Sequence, residues 1–374
     1  MKNEKGIVLV LSLMVMTVLS ILGLSFLSMA LLEHNMSKNY KDHAQAFYTA
    51  DGGLEMAKQV LKTTADWTTL DGATGDCSTL PGSCAYSMEV PKPDLAIVTS
   101  AAKFRLTRST VRAAYAKNDL PAPPGGITSM GLTGTVTFSG NAFTIDGNNW
   151  VPPIGALSAY EDNMACGSTA VPKFGIAVKD AATQQQVFNG LTAPQQDNVI
   201  GEDPGFPIGP TSVGVDTTVS SADILELAEA LMLIASETYA PGTSLSGAPL
   251  GTMAAPKVVA IDGTGYAGSP AFTLNASEGA GVLIVKNGTL RLAGATNWTG
   301  LVILVGENAS IDMAGGGDKA IYGSVLIAET VNPTTTIAAG NGNLKVRYSC
   351  GGLDVANFAA GQLRASQLWW TEVR

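Results

Sequence analysis

The sequence predicts a long amino-terminal α-helix, half of it transmembrane, carrying a mainly-β head. Three observations predict this fold class. Ile7 to Leu32 is a run of 26 residues without a charged side chain, followed by a polar stretch with apolar residues at helical spacing. Charged residues are only 14% of the chain while 42 of its 374 residues are glycine, against about 25% charged in an ordinary domain, a balance that favours strands and tight turns. The carboxy-terminal third also repeats itself at a period of about 20 residues, as stacked β-coils do.

The stem comes first. As a helix the uncharged run is about 39 Å long, more than the ~30 Å hydrocarbon core of a bilayer. A secretory signal has an apolar region of about 7 to 15 residues and a small-x-small cleavage site after it. This run is longer and Glu33 to Lys41 holds no such site, so the span is expected to stay. Lys2, Lys5 and the amino terminus outweigh Glu4, whereas Glu33, Lys38, Lys41 and Asp42 cancel, which places the amino terminus in the cytoplasm and the bulk outside. Beyond the span Ala44, Phe47, Ala50, Leu54, Ala57 and Leu61 share one face, so a single helix is expected over residues 7–64. Gly52 and Gly53 weaken it by about 1 kcal/mol each relative to Ala, and mark a bend or a close contact. These features alone also describe a plain single-pass anchor with a helical stalk.

A leader ending in Gly6, a span beginning at Ile7 and the later phrase AFYTADGGLEMA resemble the amino-terminal region of PilX-type minor pilins of type IV pilus systems. The resemblance covers the first 60 or so residues. It implies that a membrane prepilin peptidase removes residues 1–6 by cutting between Gly6 and Ile7 and methylates the new amino terminus. The span would then pass from the inner membrane into the pilus core, among other major and minor pilins. Two residues depart from the commonest pattern. Ile7 stands where Phe or Met is usual, and Leu11 stands at the fifth mature position, where major pilins carry a glutamate. The second departure is shared by PilX-like minor pilins and by K-type pseudopilins of type II secretion.

Residues 65–126 read as a transition: a turn-rich stretch with Cys77 and Cys84, then YSMEV and KFRLTRSTVRAAYAK, whose alternation reads as a strand or two. The cluster Pro121 to Gly126 is the expected linker. From Ile127 to the end a β-rich head is expected, with 160–219 mostly loop and one helix near 221–237. Ser220 or Ser221 caps that helix, and Ile224, Leu227, Leu231 and Ile234 share its core-facing side. VLIVKNGTLRLAG from Val282 matches VILVGENASIDMAG from Val302 at an offset of 20 to 21, and the stretch from Gly323 continues it at 22 to 24. Asn287 and Asn308 fall at the same place in each copy. Such repeats favour a right-handed parallel β-helix or solenoid, whose coils bury alternate apolar residues only when stacked. A β-sandwich with a meander is the runner-up, supported by the looser third copy. The head also resembles the large passengers carried on PilX-like stems.

The cysteines, Cys77, Cys84, Cys166 and Cys350, all lie on the side expected to be outside, where disulfides persist, and four allow three pairings. Cys77 with Cys84 would close a short Pro-Gly loop, worth about 2 to 3 kcal/mol in the chain-entropy model. Cys166 with Cys350 would then staple the start of the head to its end. Zinc is disfavoured, because C-x6-C is not a metal spacing and the two histidines, His34 and His43, lie in the stem. Asn275, Asn287, Asn297 and Asn308 precede x-Ser/Thr but read as turn residues of the repeat. Asp262-Gly-Thr-Gly and Gly315-Gly-Gly-Asp lack the spaced carboxylates of a calcium loop and read as turns as well. A net charge of −9 without clustered Lys and Arg argues against a nucleic-acid partner.

The head has no histidine and no Ser/His/Asp set, so no catalytic residue, metal or cofactor is assigned. The expected function is a non-catalytic minor pilin that displays its head outside the cell, at the pilus tip. The alternative is a single-pass membrane-anchored surface protein whose β-helix head binds or cleaves polysaccharide, since β-helices can host paired carboxylates.

Overall fold

The computed structural model describes residues 4–64, 66–117, 120–131, 140–152, 171–205, 210–247, 249–313, 317–331, 337–339, 344–361 and 365–373. The chain divides into two compact units, residues 1–117 with 365–374, and residues 118–364.

The first unit opens with one continuous helix, α1 (Glu4–Thr63). Its outer half buries a line of mostly small residues, Ala46, Ala50, Leu54, Ala57 and Leu61. The expected Ala44 and Phe47 lie beside that line and are half-buried. Small side chains let the helix lie close on a sheet. The helix stops above Trp67, which is fully buried and donates its indole N–H to the Leu61 carbonyl at 2.9 Å. A 3-10 turn follows (Trp67–Leu70), capped by Asp66, whose carboxyl is held below its usual range by hydrogen bonds from the Thr68 side chain and backbone. Strands β1 (Thr74–Asp76), β2 (Ser83–Lys92), β3 (Leu95–Phe104) and β4 (Thr107–Lys117) then form an antiparallel meander beneath α1. The alternation through Phe104 and Leu106 is broken by a turn. Arg105 takes a φ of 55°, its guanidinium reaches Asp42 of α1 at 3.1 Å, and Leu106 is left exposed at the tip.

The second unit contains β5 (Gly125–Ser129), β6 (Phe143–Asp146), β7 (Phe174–Val178), α2 (Ala181–Gly190), α3 (Ala193–Gln196), β8 (Val199–Ile200), β9 (Val213–Val215) and α4 (Ser221–Leu233). Eleven strands follow: β10 (Glu237–Tyr239), β11 (Thr243–Ser246), β12 (Lys257–Asp262), β13 (Phe272–Asn275), β14 (Glu278–Lys286), β15 (Thr289–Ala293), β16 (Asn297–Glu307), β17 (Ser310–Met313), β18 (Lys319–Val331), β19 (Ile337–Ala339) and β20 (Leu344–Tyr348). Helix α5 (Cys350–Ala359) ends the unit, and the last strand, β21 (Ala365–Val373), returns to the first unit and pairs antiparallel with β4. The whole second unit is thus inserted between two neighbouring strands of one sheet. The head expected from Ile127 to the carboxy terminus therefore stops short of β21, which belongs to the sheet of the first unit.

From β10 onward the chain alternates between two parallel sheets, β10-β12-β14-β16-β18-β20 and β11-β13-β15-β17-β19. Every pairing between described strands of this unit is parallel. Strands β5, β7 and β9 continue the first sheet beyond one half of β18, and β6 and β8 continue it beyond β20, so the earliest coils stack on the latest. Helix α4 carries the chain back along the sheet, touching β18, β16, β14 and β12 on the way to β10. Between the sheets lie Phe272, Leu283, Leu290, Val302, Leu304, Ile311 and Val325. The opposite side of the first sheet, with Val282, Ile284, Leu301 and Ile303, is covered by Ile224, Ala228 and Leu231 of α4 and by Leu353 and Ala356 of α5.

Burial on both faces explains a difference in register. Leu283 pairs with Val302 and Leu290 with Ile311, offsets of 19 and 21 residues, so the sequence match of Val282 to Val302 is one residue out in the first strand. A strand apolar on both faces has no alternation to fix its register. Midway along β14, β16 and β18 the strands bend at Gly281, Gly300 and Gly323, which stack in register with φ of 121°, 134° and 149°. Asn287 and Asn308 turn the chain at φ of 56° and 55°, and Asn287 Oδ1 accepts from the Glu307 N–H at 2.8 Å in the next coil.

Other expectations need correction. The stretch 160–219, read as mostly loop, holds α2 and α3 among its described residues; α2 is capped by Asp180, but polar Gln and Thr on most of its faces hide the helical stripe. Helix α4 ends at Leu233, short of 237, because Glu237 already begins β10; its capping box is formed by Ser220 and Asp223. The head expected to hold one helix also holds α5, whose amino end Ser349 caps by accepting from the Gly352 N–H. Pro123 to Gly126 are buried and lead into β5, so the expected linker is part of the fold.

Candidate assembly interface

The feature that departs furthest from an ordinary globular protein is α1. From Leu9 to Met36 its large apolar side chains are 48% to 73% exposed. This half is long and apolar enough to cross a membrane, and none of its most apolar window is buried. Its hydroxyls are folded back on the helix: Ser20 donates to the Met16 carbonyl at 2.8 Å and Ser25 to that of Ile21 at 2.9 Å. The helix therefore offers no unsatisfied side-chain donor at those positions to an apolar environment.

Gly6 and Ile7 lie in the first turns of α1. The first four N–H groups of any helix lack intrahelical partners, so this end is the least firmly held part of α1. Leu11 is 63% exposed on the apolar half. No charged residue interrupts α1 between Ile7 and Leu32.

At the other end α1 is clamped to its sheet. Gly53 is buried where the helix crosses the Cys77–Cys84 disulfide, beside Ser100. Gly52 faces Leu80. The close contact expected of these glycines is therefore what they serve. Cys350 is also disulfide-bonded. Cys166, its expected partner, lies outside the described residues. Nearer the span, Asp42 holds Arg105, and His43 Nε2 lies 3.6 Å from Glu372 Oε1 of β21, which also accepts from Ser109 Oγ at 3.1 Å. His34, in the apolar half's polar continuation, has no metal-ligating cluster around it among the described residues.

The second unit has a groove of its own, about 640 Å³, across the first halves of β14, β16, β18 and β20. Glu278, Asn297, Thr299, Tyr322, Lys345 and Arg347 line it. Arg347 lies over the Trp150 ring at 3.7 Å and donates to the Tyr322 hydroxyl at 2.9 Å, while Trp150 donates its indole N–H to Asp146 at 3.0 Å. Under the floor Trp298, Ile321, Val346 and Ile145 point inward, and Gly279 leaves room for the Trp298 indole. Asp262 is a turn residue, accepting from the Thr264 N–H at 2.9 Å, and Asn287 donates to Thr264 Oγ1 at 2.7 Å. Asn275 and Asn297 lie at the end of β13 and the start of β16. Gly315 lies outside the described residues.

With this geometry in place, comparison with known proteins identifies residues 5–55 as a match to the PilX N-terminal family. No curated protein matches the chain. Among solved structures, the competence-associated pilin ComZ from Thermus thermophilus is similar at 11% identity and a TM-score of 0.24, over 89% of this chain and 98% of that one.

Proposed function

We propose that this protein is a PilX-type minor pilin, a non-catalytic subunit of a type IV pilus system. The observation that carries this reading is α1: a PilX N-terminal match over residues 5–55 falls on a helix whose first half is exposed and apolar and whose second half is clamped on a sheet. In this reading a prepilin peptidase cuts between Gly6 and Ile7, and the mature subunit waits in the inner membrane with both folded units outside the cytoplasm. The helix then leaves lipid for the filament core, where other pilins cover it.

The second unit is the displayed head. Its alternating parallel strands, about 20 residues per coil, and its stacked glycine corner support a parallel β-solenoid over a meander sandwich, which would need antiparallel pairs. Leu11 supports a place at the tip. A glutamate at that position in other pilins is thought to pair with a neighbour's amino terminus, and Leu11 cannot make that pair. The subunit can still offer its own amino terminus, so it joins a filament in one direction only.

The groove lined by Tyr322, Lys345 and Arg347, the last stacked on Trp150, supports the second reading, a membrane-anchored head that binds polysaccharide. The two readings differ in processing, and the mass of the amino terminus of the purified protein separates them.

A further inference from the structure

The first unit's sheet has two edges, and they are built differently. At one edge lies β1, three residues long with the sequence Thr-Gly-Asp. At the other lies β21, nine residues long, Ala-Ser-Gln-Leu-Trp-Trp-Thr-Glu-Val, paired among the described residues with β4 alone. The sheet edges of the second unit, β10, β8, β9, β11 and β19, have between two and four residues each. Short or charged edges are how proteins prevent edge-to-edge pairing. Among these edges only β21 is long enough to template a full further strand. Leu368, Trp369, Trp370 and Val373 are 41% to 57% exposed, and its single charge, Glu372, is turned back toward His43 and Ser109. The pairing with β4 shifts register between Gln367 and Trp369, which leaves Leu368 out of the ladder and 57% exposed.

We propose that the β21 edge is a docking strand for a second, different pilin-type subunit, which adds a strand to this sheet and covers Trp369 and Trp370. This rests on the minor-pilin reading. Two observations select the occupant. The patch is continuous with the exposed side of α1: the Trp370 ring meets Phe47 at 5.7 Å, and Phe47 meets Tyr48, itself 68% exposed, at 5.6 Å. A neighbour packed along α1 therefore reaches this edge as well.

Symmetry disfavours a second copy. Antiparallel pairing of β21 with itself has a two-fold axis perpendicular to the sheet, which reverses every direction in its plane. Because α1 lies on that sheet, the two spans would point oppositely, which subunits drawn from one membrane cannot do. Head-to-tail pairing of identical copies would set β21 against β1, which has three residues and no apolar side chain. A different subunit with a longer edge strand and a helix running the same way satisfies both conditions, and strand addition is a common mode of recognition.

The test places a photoreactive benzophenone amino acid at one position of the full-length chain in cells that assemble the pilus, with products identified by mass spectrometry. Three positions are compared: Leu368 on the edge, Leu106 at the fully exposed β3–β4 tip, and Leu24 in the span. The expected result is a covalent product between Leu368 and a different pilin-type subunit, none from Leu106, and pilin products from Leu24. No product at Leu368, a product with a second copy or a non-pilin protein, or an equal product at Leu106 overturns the proposal, while pilin products at Leu24 keep the minor-pilin reading standing. Absence of pilin products at both Leu24 and Leu368 overturns both.

Discussion

Gly53 of the stem helix lies against Cys84: a β-carbon on Gly53 would fall 2.7 Å from the Cys84 sulfur and 2.9 Å from that of Cys77. Its neighbour Gly52 faces only the end of the flexible Leu80 side chain, at 2.8 Å. Alanine gains about 1 kcal/mol of helix propensity at either position, whereas overpacking a close contact costs about 1 to 3 kcal/mol. Gly52→Ala should therefore leave the thermal midpoint of the detergent-solubilised protein unchanged or raised. Gly53→Ala should lower it by several degrees, and equal effects at the two positions would contradict the clamp.

The glycine corner makes a stronger demand. At Gly300 both the φ of 134° and the carbonyl oxygen of Gly281 exclude a side chain. Gly300→Ala should cost about 3 kcal/mol or more, since a strained backbone and a steric clash combine. Gly247, at a φ of 65° with open space around it, should accept asparagine nearly without loss. Denaturant unfolding of the two variants, followed by far-ultraviolet circular dichroism, checks the contrast.

Tyr115 supplies a pH dependence. Burial first, then the charges of Glu55 and Asp51, push its phenol up to about 12, and its hydroxyl has no hydrogen-bond partner among the described residues. A pKa raised on folding gives stability that is complete below the ordinary tyrosine value near 10 and is lost as pH rises through the folded value. The first unit should thus weaken between about pH 10 and 12. Tyr115→Phe should flatten that decline and leave stability at neutral pH unharmed, as seen in melting curves across the range.

Much of this organisation was legible in the sequence. The uncharged run, the helical spacing beyond it and the Cys77–Cys84 loop are local patterns, and each has its counterpart in the structure. Asn287 and Asn308 mark turns because few residues other than glycine accept their positive φ. What stayed hidden was set by distant partners. Nothing near Trp369 and Trp370 announces that their strand pairs with β4, more than two hundred residues earlier in the chain. The register of β14 on β16 was hidden because helices cover the outer face and remove the alternation. The groove was equally invisible, since Glu278, Asn297, Tyr322 and Arg347 come from four separate coils.

Leu11 leads to a prediction about position in the filament. An unpaired amino-terminal charge in an apolar core is costly, so a subunit that cannot supply the carboxylate is accepted at one end. Labelling the second unit and imaging filaments should give signal at one tip; regular signal along the shaft would contradict the tip assignment.

The central claim, that this chain is processed as a pilin, is tested most directly by the intact mass of its amino terminus. The wild-type protein isolated from its own cells should begin at Ile7, carry one added methyl group and lack residues 1–6. Gly6→Glu should keep the leader and accumulate as the heavier membrane-bound form. A wild-type protein that still begins at Met1, with the same amino terminus in Gly6→Glu, would contradict the account.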